Sequence, residues 1–261
     1  MNPAERWAEQ LAAWKIPDEI LARAPEPPWQ FTPSLFAAAG TPIGLLHREA
    51  LRYLEGGGSV LDVGCGGGAA SVPLVPPATH LIGVDSSGGM LESFSAAAAA
   101  TGVGHDEILG HWTEVAGAVP VADVVVCRNV VYNVEAIEDF VRALSAHGRR
   151  RIVVELTDTH PSVPLRPLWK RFWNLDRPEG PAAELFVDVV RDLGYEPDVG
   201  SETRPAFKES VSRAQHVAMV RRRLCLAPSR DTEVEAALPR SAARHAVVVS
   251  WSSRTRGHRP T

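Results

Sequence analysis

The sequence lacks three features that would assign a chain to a broad class at once. Its three cysteines, Cys65, Cys127 and Cys225, form no CxxC pair, so neither a disulfide framework nor a zinc site is expected, and a reduced, cytoplasmic protein is predicted. No window approaches 18 apolar residues and the first residues have no leader pattern, so no membrane span is predicted. A net charge of −4 over 261 residues provides no basic field for nucleic acid or an anionic membrane.

The chain does contain an alternation of strands and helices after residue 57. Short apolar strands are predicted at 60–63, 81–84, 121–127 and 151–156, before Gly110 and at 244–253, with helices near 88–101 and 135–147. This alternation predicts a doubly wound, Rossmann-like α/β sheet that is mostly parallel. A helical N-terminal segment, 1–57, is expected to precede an α/β domain, 58–261, and to include a helix that starts at Pro42 with Thr41 as its cap.

Residues 60–68, VLDVGCGGG, place four glycines behind a strand-like run. A strand that enters a glycine-rich loop and then a helix is typical of a ligand cradle, because glycine permits the tight turn, leaves room for a ligand and lets helical N–H groups point at it. The prolines of the SVPLVPP segment predict that this helix is short. The loop alone does not identify the ligand, since dinucleotide-binding proteins also use it.

Two carboxylates narrow the choice of ligand. Asp62 lies two residues before Gly64, where a carboxylate would repel a pyrophosphate but hold a cation. Asp85 ends the next predicted strand, where an acid binds ribose hydroxyls in related sheets. A ligand with a ribose and a positive, phosphate-free part satisfies both, and S-adenosylmethionine is such a ligand. The alternatives are a tight turn without a ligand and, for Asp85, a helix cap.

Three motifs resemble those of the class I S-adenosylmethionine-dependent methyltransferase family, namely VLDVGCGGG at 60–68, LIGVDSSGGML at 81–91 and ADVVVCRNVVYNV at 122–134. The resemblance covers roughly residues 45–156. It implies an antiparallel last strand in the sheet, methyl transfer as the activity, and S-adenosylhomocysteine as the product of the cofactor. It also implies that the loop after Asp62 surrounds the methionine portion and that Asp85 binds the ribose.

The predicted cofactor-binding residues lie in the loop and at neighbouring strand ends. They are Asp62, Gly64, Cys65, Gly66, Gly68, Asp85, Ser86, Met90, His111, Trp112 and Arg128. Family members often carry an acid after a glycine at the third strand's exit, whereas His111 and Trp112 follow Gly110 in this chain. Trp112 is expected either to pack on the adenine or to lie at the edge of the core. Cys65 is expected to be a small residue that fits the loop.

Residues beyond the fourth and fifth strands are predicted to face the methyl acceptor. Asn129 and Tyr132 are placed among the catalytic residues, although a turn former and a packing residue are the simpler interpretations. Methyl transfer is an in-line displacement, so alignment in a dry site matters most. A hydroxyl acceptor would also need a base, for which His160 is the first candidate, with Glu155 and His111 behind it. The alternative for His160 is an ordinary loop residue.

Segments outside the core are candidates for a lid over the acceptor. They are 157–180, with Trp169, Phe172 and Trp173 at near-helical spacing, 208–238, which is predicted to form two helices, and 1–57, with Trp29 and Phe31. Such an aromatic stripe also docks helices, which is the simpler interpretation.

The predicted function is methyl transfer to a small molecule. The alternatives are a methyltransferase that acts on RNA, DNA or protein, and a homologue that binds the cofactor without turnover. The basic clusters 149–151 and 221–223 are interpreted as solvated faces, so a nucleic-acid partner is not favoured. No spacing of carboxylates and histidines demands a metal, so no metal is predicted. A monomer and a homodimer both stay open.

Overall fold

A single seven-stranded sheet forms the centre of the molecule. The structure, a computed structural model, describes residues 1–29, 41–204, 212–238 and 244–253. The strands are β1 Gly58–Val63, β2 Ala78–Asp85, β3 Gly104–Leu109, β4 Ala122–Arg128, β5 Gly148–Thr157, β6 Asp198–Arg204 and β7 Arg244–Trp251. Their order is β3-β2-β1-β4-β5-β7-β6, and β7 runs in the opposite direction to the other six strands. The predicted Rossmann-like sheet with an antiparallel last strand is confirmed.

Helices cover both faces of the sheet. They are α1 Pro3–Ala12, α2 Asp18–Leu21, α3 Leu45–Leu51, α4 Gly88–Ala99, α5 Trp112–Val115, α6 Ile137–His147, α7 Arg166–Trp173, α8 Ala183–Asp192, α9 Arg213–Arg223 and α10 Asp231–Ala237. One core lies between the sheet and α1, α5, α6 and α8, and a second lies between the sheet and α3 and α4. The central strands are apolar on both faces for this reason. Within the described ranges, no helix is long and apolar enough to cross a membrane.

The start of α3 was predicted wrongly, and the helix predicted to be short after the glycine loop is a single 3-10 turn. Helix α3 begins at Leu45, not at Pro42, because its first N–H groups find partners from further along the chain: Gly44 N donates to His47 Nδ1 (3.0 Å) and Leu45 N to Glu202 Oε1 (2.8 Å). After the glycine loop the chain forms only a three-residue 3-10 turn, Val72–Leu74. The loop therefore lacks the helix whose N–H groups were expected to point at a ligand.

The remaining helices, α2, α7, α9 and α10, pack around a third core, and we call these four helices the helical cap. Its buried residues include Ile20, Leu168, Val220 and Val234. The chain enters and leaves the cap after β5, after β6 and before β7, which are all at the carboxyl edge of the parallel strands. The two helices predicted in 208–238 are present as α9 and α10, and residues 208–211 lie outside the described residues.

Candidate functional site

The glycine loop and Asp85 meet at the carboxyl edge of the sheet. Gly64 N and Cys65 N donate to Val84 O (2.8 and 3.0 Å), which joins the loop to the end of β2. Gly66 N donates to Asp85 Oδ2, and Ser87 N to Asp85 Oδ1, both at 2.9 Å. The Asp85 carboxylate is thus fixed against the loop by two backbone N–H groups and stays partly exposed. An oriented, accessible carboxylate of this kind accepts hydrogen bonds from a pair of hydroxyls.

The loop glycines are needed for backbone reasons at defined positions. Gly64, Gly66 and Gly68 have φ of +69°, +52° and +80°, a region that side chains disfavour. A Cβ on Gly64 would overlap Val130 Cγ2, and a Cβ on Gly68 would lie 2.6 Å from Val72 Cγ2. The absent side chains of Gly64 and Gly68 leave room for the protein's own valines. This corrects the expectation that these two glycines clear space for a ligand.

Asp62 lies beneath the loop with one unsatisfied oxygen. It is 1% exposed, and Ser71 Oγ donates to its Oδ2 at 2.6 Å. Its Oδ1 has no hydrogen-bond partner among the described residues. Burial raises the pKa of the Asp62 carboxyl to about 7, and the nearby Asp85 adds to the rise. A cation beside Oδ1 would remove the cost of this buried, unpaired oxygen, so the residue fits a positively charged ligand group.

Arg128 links the end of β4 to both the loop and β5. Its Nε donates to Glu155 Oε1 at 2.7 Å, and its Nη1 lies 3.5 Å from Ala69 O in the loop. Glu155 is buried, and its second oxygen, Oε2, accepts a bond from Arg204 Nη2 at 2.7 Å. Both oxygens of Glu155 therefore accept hydrogen bonds from arginine side chains of the protein.

Asn129 and Tyr132 follow Arg128 and adopt different roles. Asn129 is exposed, has a left-handed φ of +59° and donates its N–H to Glu155 O (2.8 Å), a conformation that asparagine tolerates better than most residues. The Tyr132 hydroxyl donates to Thr157 O at 2.6 Å, and its ring stacks on Trp7 with 5.7 Å between centroids. Burial raises the pKa of Tyr132, so its hydroxyl keeps its proton. These contacts give Tyr132 a packing role, and its contact with an acceptor stays a prediction.

His160 is held between aromatic rings at the junction of the cap and the sheet. It stacks on Trp14 with 4.2 Å between centroids and meets Tyr132 edge-on at 5.1 Å. Its Nδ1 accepts a bond from Ser162 N at 3.2 Å, which leaves the proton of the neutral ring on Nε2. Burial, reinforced by Arg177, lowers the pKa of His160 to about 4. The ring is neutral at pH 7 and borders an open cavity of about 160 Å³.

The other predicted cofactor residues separate into surface and core positions. Ser86 and His111 are exposed near Asp85, and Gly110 N donates to Asp85 O at 3.0 Å, which brings the end of β3 to the same place. Trp112 is buried in the core, edge-on to His147 at 4.9 Å, so it adopts the alternative position that the sequence left open.

Two further members of that set are buried apolar groups. Met90 is buried in the first turn of α4. Cys65 is buried in the loop, and this burial raises the pKa of its thiol, which therefore keeps its proton. These observations agree with the expectation that Cys65 is a small residue that fits the loop.

The aromatic residues proposed for a lid pack inside the helical cap. Trp169 is buried, Phe172 and Trp173 are partly buried, and Trp173 Nε1 donates to Leu224 O at 2.7 Å. The stripe therefore docks α7 onto α9. Trp29 is exposed, whereas Phe31 lies outside the described residues.

Sequence reasoning did not predict the arginine at the junction of the helical cap and the sheet. The Arg177 guanidinium lies 5.0 Å from the ring centroids of Trp14 and of Trp169, and it donates to the carbonyl oxygens of Trp14 and Lys15. Trp14 and Lys15 are more than 160 positions from Arg177 in the chain, so no local pattern identifies this contact. Near the loop, Arg204 was also missed, because only the pairing of β6 with β7 brings it to Glu155.

Metal binding finds no support among the described residues, where no group of three or more histidine, cysteine, aspartate or glutamate side chains is arranged to hold an ion.

Comparison with known families identifies one domain. A family model described as a methyltransferase domain matches residues 60–149, which span β1 to the start of β5. A search of curated protein sequences finds no match.

Solved structures share the fold at low sequence identity. A structure described as the conversion of a disulfide bond into a thioacetal group during echinomycin biosynthesis has a TM-score of 0.57 and 15% identity, with 90% of each chain covered. The YcgJ protein from Bacillus subtilis has a TM-score of 0.55 and 14% identity over 79% of this chain and 97% of its own. Magnesium protoporphyrin IX methyltransferase from Synechocystis PCC 6803, with bound S-adenosylhomocysteine, has a TM-score of 0.53 and 14% identity over 79% of this chain and 81% of its own.

Proposed function

We propose that the protein transfers a methyl group from S-adenosylmethionine to a small-molecule acceptor. The match of residues 60–149 to a family model described as a methyltransferase domain supports this proposal. The observation that carries this proposal is the fixed Asp85 carboxylate, 2.9 Å from the N–H of Gly66 in the glycine loop. An acid at this strand end binds the two ribose hydroxyls of a nucleoside, and the adjacent loop then receives the rest of the ligand.

The site's donors and acceptors fit this cofactor. The unpartnered Oδ1 of Asp62 suits the ammonium group of the amino-acid tail, whereas a dinucleotide would bring a pyrophosphate to the same carboxylate. Ser86 and Met90, which follow Asp85 in the chain, and His111, which follows β3, are our candidates for contact with the ribose and adenine. We keep Cys65, Gly66 and Arg128 as contacts of the methionine portion.

The protein's part in the reaction is mainly alignment. When bound, the cofactor supplies an electrophilic methyl group on a sulfonium. Asp85 and the loop hold the nucleoside, and Asn129 presents an exposed side chain beyond β4 toward the acceptor side. The helical cap, which is anchored at the same edge, excludes water from the reacting groups.

His160 is our candidate to accept a proton if the acceptor is a hydroxyl. Its ring is neutral at pH 7, which a base requires, but its pKa of about 4 makes it a weak base. We therefore favour acceptors that lose their proton easily or carry an unprotonated nitrogen. Tyr132, which packs edge-on against His160, keeps that ring in place.

The burial and ion pairing of arginines in the two basic clusters support a small-molecule acceptor. In 149–151, Arg151 is buried and pairs with Glu49 at 3.1 Å. In 221–223, Arg221 is buried and pairs with Glu26 at 2.6 Å and Asp231 at 2.9 Å. These arginines are used within the fold and offer little to a phosphate backbone. The magnesium protoporphyrin IX methyltransferase of the same fold also acts on a small molecule.

We also propose a cytoplasmic location. All three cysteines, Cys65, Cys127 and Cys225, are free and buried, which suits a reducing compartment.

Two assays on the purified chain test the function. Calorimetric titration with S-adenosylmethionine, with NAD⁺ as the control, is expected to give micromolar binding of the first and none of the second. Transfer of a radiolabelled methyl group to a panel of small hydroxylated and amino metabolites, with RNA and a protein extract in parallel, then identifies the acceptor class. Label in RNA or protein alone would refute the small-molecule assignment, and binding without any transfer would favour a non-catalytic homologue.

A further inference from the structure

A row of alternating charges crosses the carboxyl edge of the sheet from β6 to the glycine loop. Arg48 Nη2 pairs with Glu202 Oε2 at 2.9 Å, and Glu202 Oε1 pairs with Arg204 Nη2 at 2.5 Å. Arg204 Nη2 also pairs with Glu155 Oε2, and Glu155 Oε1 with Arg128 Nε, both at 2.7 Å. Three arginines and two glutamates leave a net charge of +1. Arg48 is largely exposed to water, so the excess matters most at the Arg128 end.

Glu155 fixes the orientation of Arg128. The carboxylate is only 2% exposed, and each of its oxygens accepts a bond from one guanidinium. Because Arg204 occupies Oε2, Arg128 can bind only through Oε1, by its Nε edge. Nη1, on the opposite side of the guanidinium from the Nε–H, lies 3.5 Å from Ala69 O, the residue that follows the glycine loop.

The terminal nitrogens of Arg128 are available to an anion. Nη2 makes no hydrogen bond within the part of the chain that the structure describes, and the side chain is 18% exposed. A guanidinium with its Nε already paired presents its two terminal nitrogens in the spacing of a carboxylate. Asp62 lies near enough to Arg128 for the arginine charge to lower the pKa of its carboxyl, against the larger rise that burial causes. An acidic and a basic side chain therefore lie in each other's field beside the loop.

We propose that Arg128 binds the carboxylate of the cofactor's amino-acid tail, and that Glu155 and Arg204 are positioning residues that hold its guanidinium toward the loop. This inference rests on the proposed function. The tail carries both an ammonium and a carboxylate, and the bound carboxylate continues the alternation of charges beyond Arg128. It also explains why a buried glutamate at the end of β5 is shared between two arginines.

The test compares two ligands that differ only in the carboxylate. They are S-adenosylhomocysteine and its decarboxylated counterpart, in which hydrogen replaces the carboxylate, and both are titrated calorimetrically into the full chain. The wild-type protein is expected to prefer S-adenosylhomocysteine by about tenfold or more. Arg128→Ala should bring this preference close to one by weakening S-adenosylhomocysteine alone.

The positioning role has its own variants. Arg204→Lys and Glu155→Gln should each reduce the preference to about threefold, and neither should reduce it further in an Arg128→Ala background. Arg204→Lys carries this test by itself if Glu155→Gln does not fold. The matched control is Arg151→Lys, a buried arginine in another ion cluster of β5, which should lower the melting temperature without changing the preference.

The outcomes separate the two proposals. Equal binding of both ligands to the wild type, or an unchanged preference in Arg128→Ala, would overturn the role of Arg128 and leave the cofactor assignment intact. An unchanged preference in folded Arg204→Lys and Glu155→Gln would overturn the positioning role. Failure of both ligands to bind the folded wild type would contradict the proposed function itself.

Discussion

The carboxyl edge of the sheet beside the glycine loop and the helical cap differ in the exposure and hydrogen bonding of their charged side chains. At the edge, Asp62 Oδ1 lacks a partner in the described ranges, and Arg128 keeps a terminal nitrogen unbonded. At the cap, the Arg177 guanidinium packs against Trp14 and Trp169, both of its terminal nitrogens donate to backbone carbonyls, and its buried Nε has no hydrogen-bond partner among the described residues. The Arg128 guanidinium at the edge is partly exposed, whereas the Arg177 guanidinium at the cap is buried. This difference supports the proposal that the cofactor binds at the edge.

The two regions also shift buried titratable groups in opposite directions. Burial raises the pKa of Asp62 to about 7 and lowers the pKa of His160 to about 4, so burial favours the neutral form of each. A bound cation would compensate Asp62 by favouring its charged form. For His160, the described contacts are Trp14, Tyr132 and the backbone of Ser162, none of which would stabilise a positive charge as a carboxylate would.

The largest expected effect is a loss of stability caused by a substitution in the glycine loop. Gly64→Ala combines a left-handed φ with an overlap against Val130, so we expect the free energy of unfolding to fall by roughly 2–4 kcal/mol. Urea denaturation measures this loss. The control is Gly88→Ala at the start of α4, where a Cβ has no neighbour within 4 Å and no such loss is expected. Equal stability of the two variants would contradict the packing reason given for Gly64.

The next effect is the pH dependence of the free energy of unfolding, to which His160 and Asp62 contribute with opposite sign. The native pKa of His160 lies below its unfolded value of 6.5, so its contribution to stability is present above pH 6.5 and is lost as the pH falls toward 4. The native pKa of Asp62 lies above its unfolded value of 3.8, so its contribution is present below pH 3.8 and is lost as the pH rises toward 7. In the wild type these two contributions offset each other between about pH 4 and 6.5.

Replacing one of the two side chains should reveal how the other changes the free energy of unfolding with pH. Asp62→Asn should become more stable as the pH rises from 4 to 6.5, and His160→Gln should become less stable over the same range, by up to about 3 kcal/mol in each case. Denaturant titrations at several pH values measure both slopes. Slopes of the same sign in the two variants would refute the opposite shifts.

The smallest expected effect is the release of a proton from Asp62 when the cofactor binds. If the cofactor's ammonium group lies at Asp62, binding favours the carboxylate and lowers the pKa of Asp62 from about 7, so a fraction of a proton is released at pH 6.5. Calorimetry of S-adenosylhomocysteine binding in two buffers of different ionisation enthalpy measures the release. Asp62→Asn is expected to bind without it, and identical release in that variant would place the proton elsewhere.

Sequence reasoning predicted the sheet well and the cap poorly, for a physical reason. The strands, the loop and Asp85 leave local patterns, because apolar runs, glycine spacing and strand ends depend on neighbours in the chain. His160, Trp14 and Arg177 meet through contacts between distant segments, so no local pattern predicted that they lie together. Likewise, Trp112 follows Gly110 in sequence as a family contact would, but tertiary packing turns it toward His147 in the core.

The central claim is that Asp85, fixed against the glycine loop, holds the cofactor's ribose. The most direct measurement is the calorimetric affinity of S-adenosylhomocysteine for the wild type and for Asp85→Ala, with circular dichroism to show that both are folded. The account predicts micromolar binding to the wild type and a loss of about 1–3 kcal/mol in the variant, the value of hydrogen bonds to a charged group. Unchanged affinity in a folded Asp85→Ala protein would contradict it.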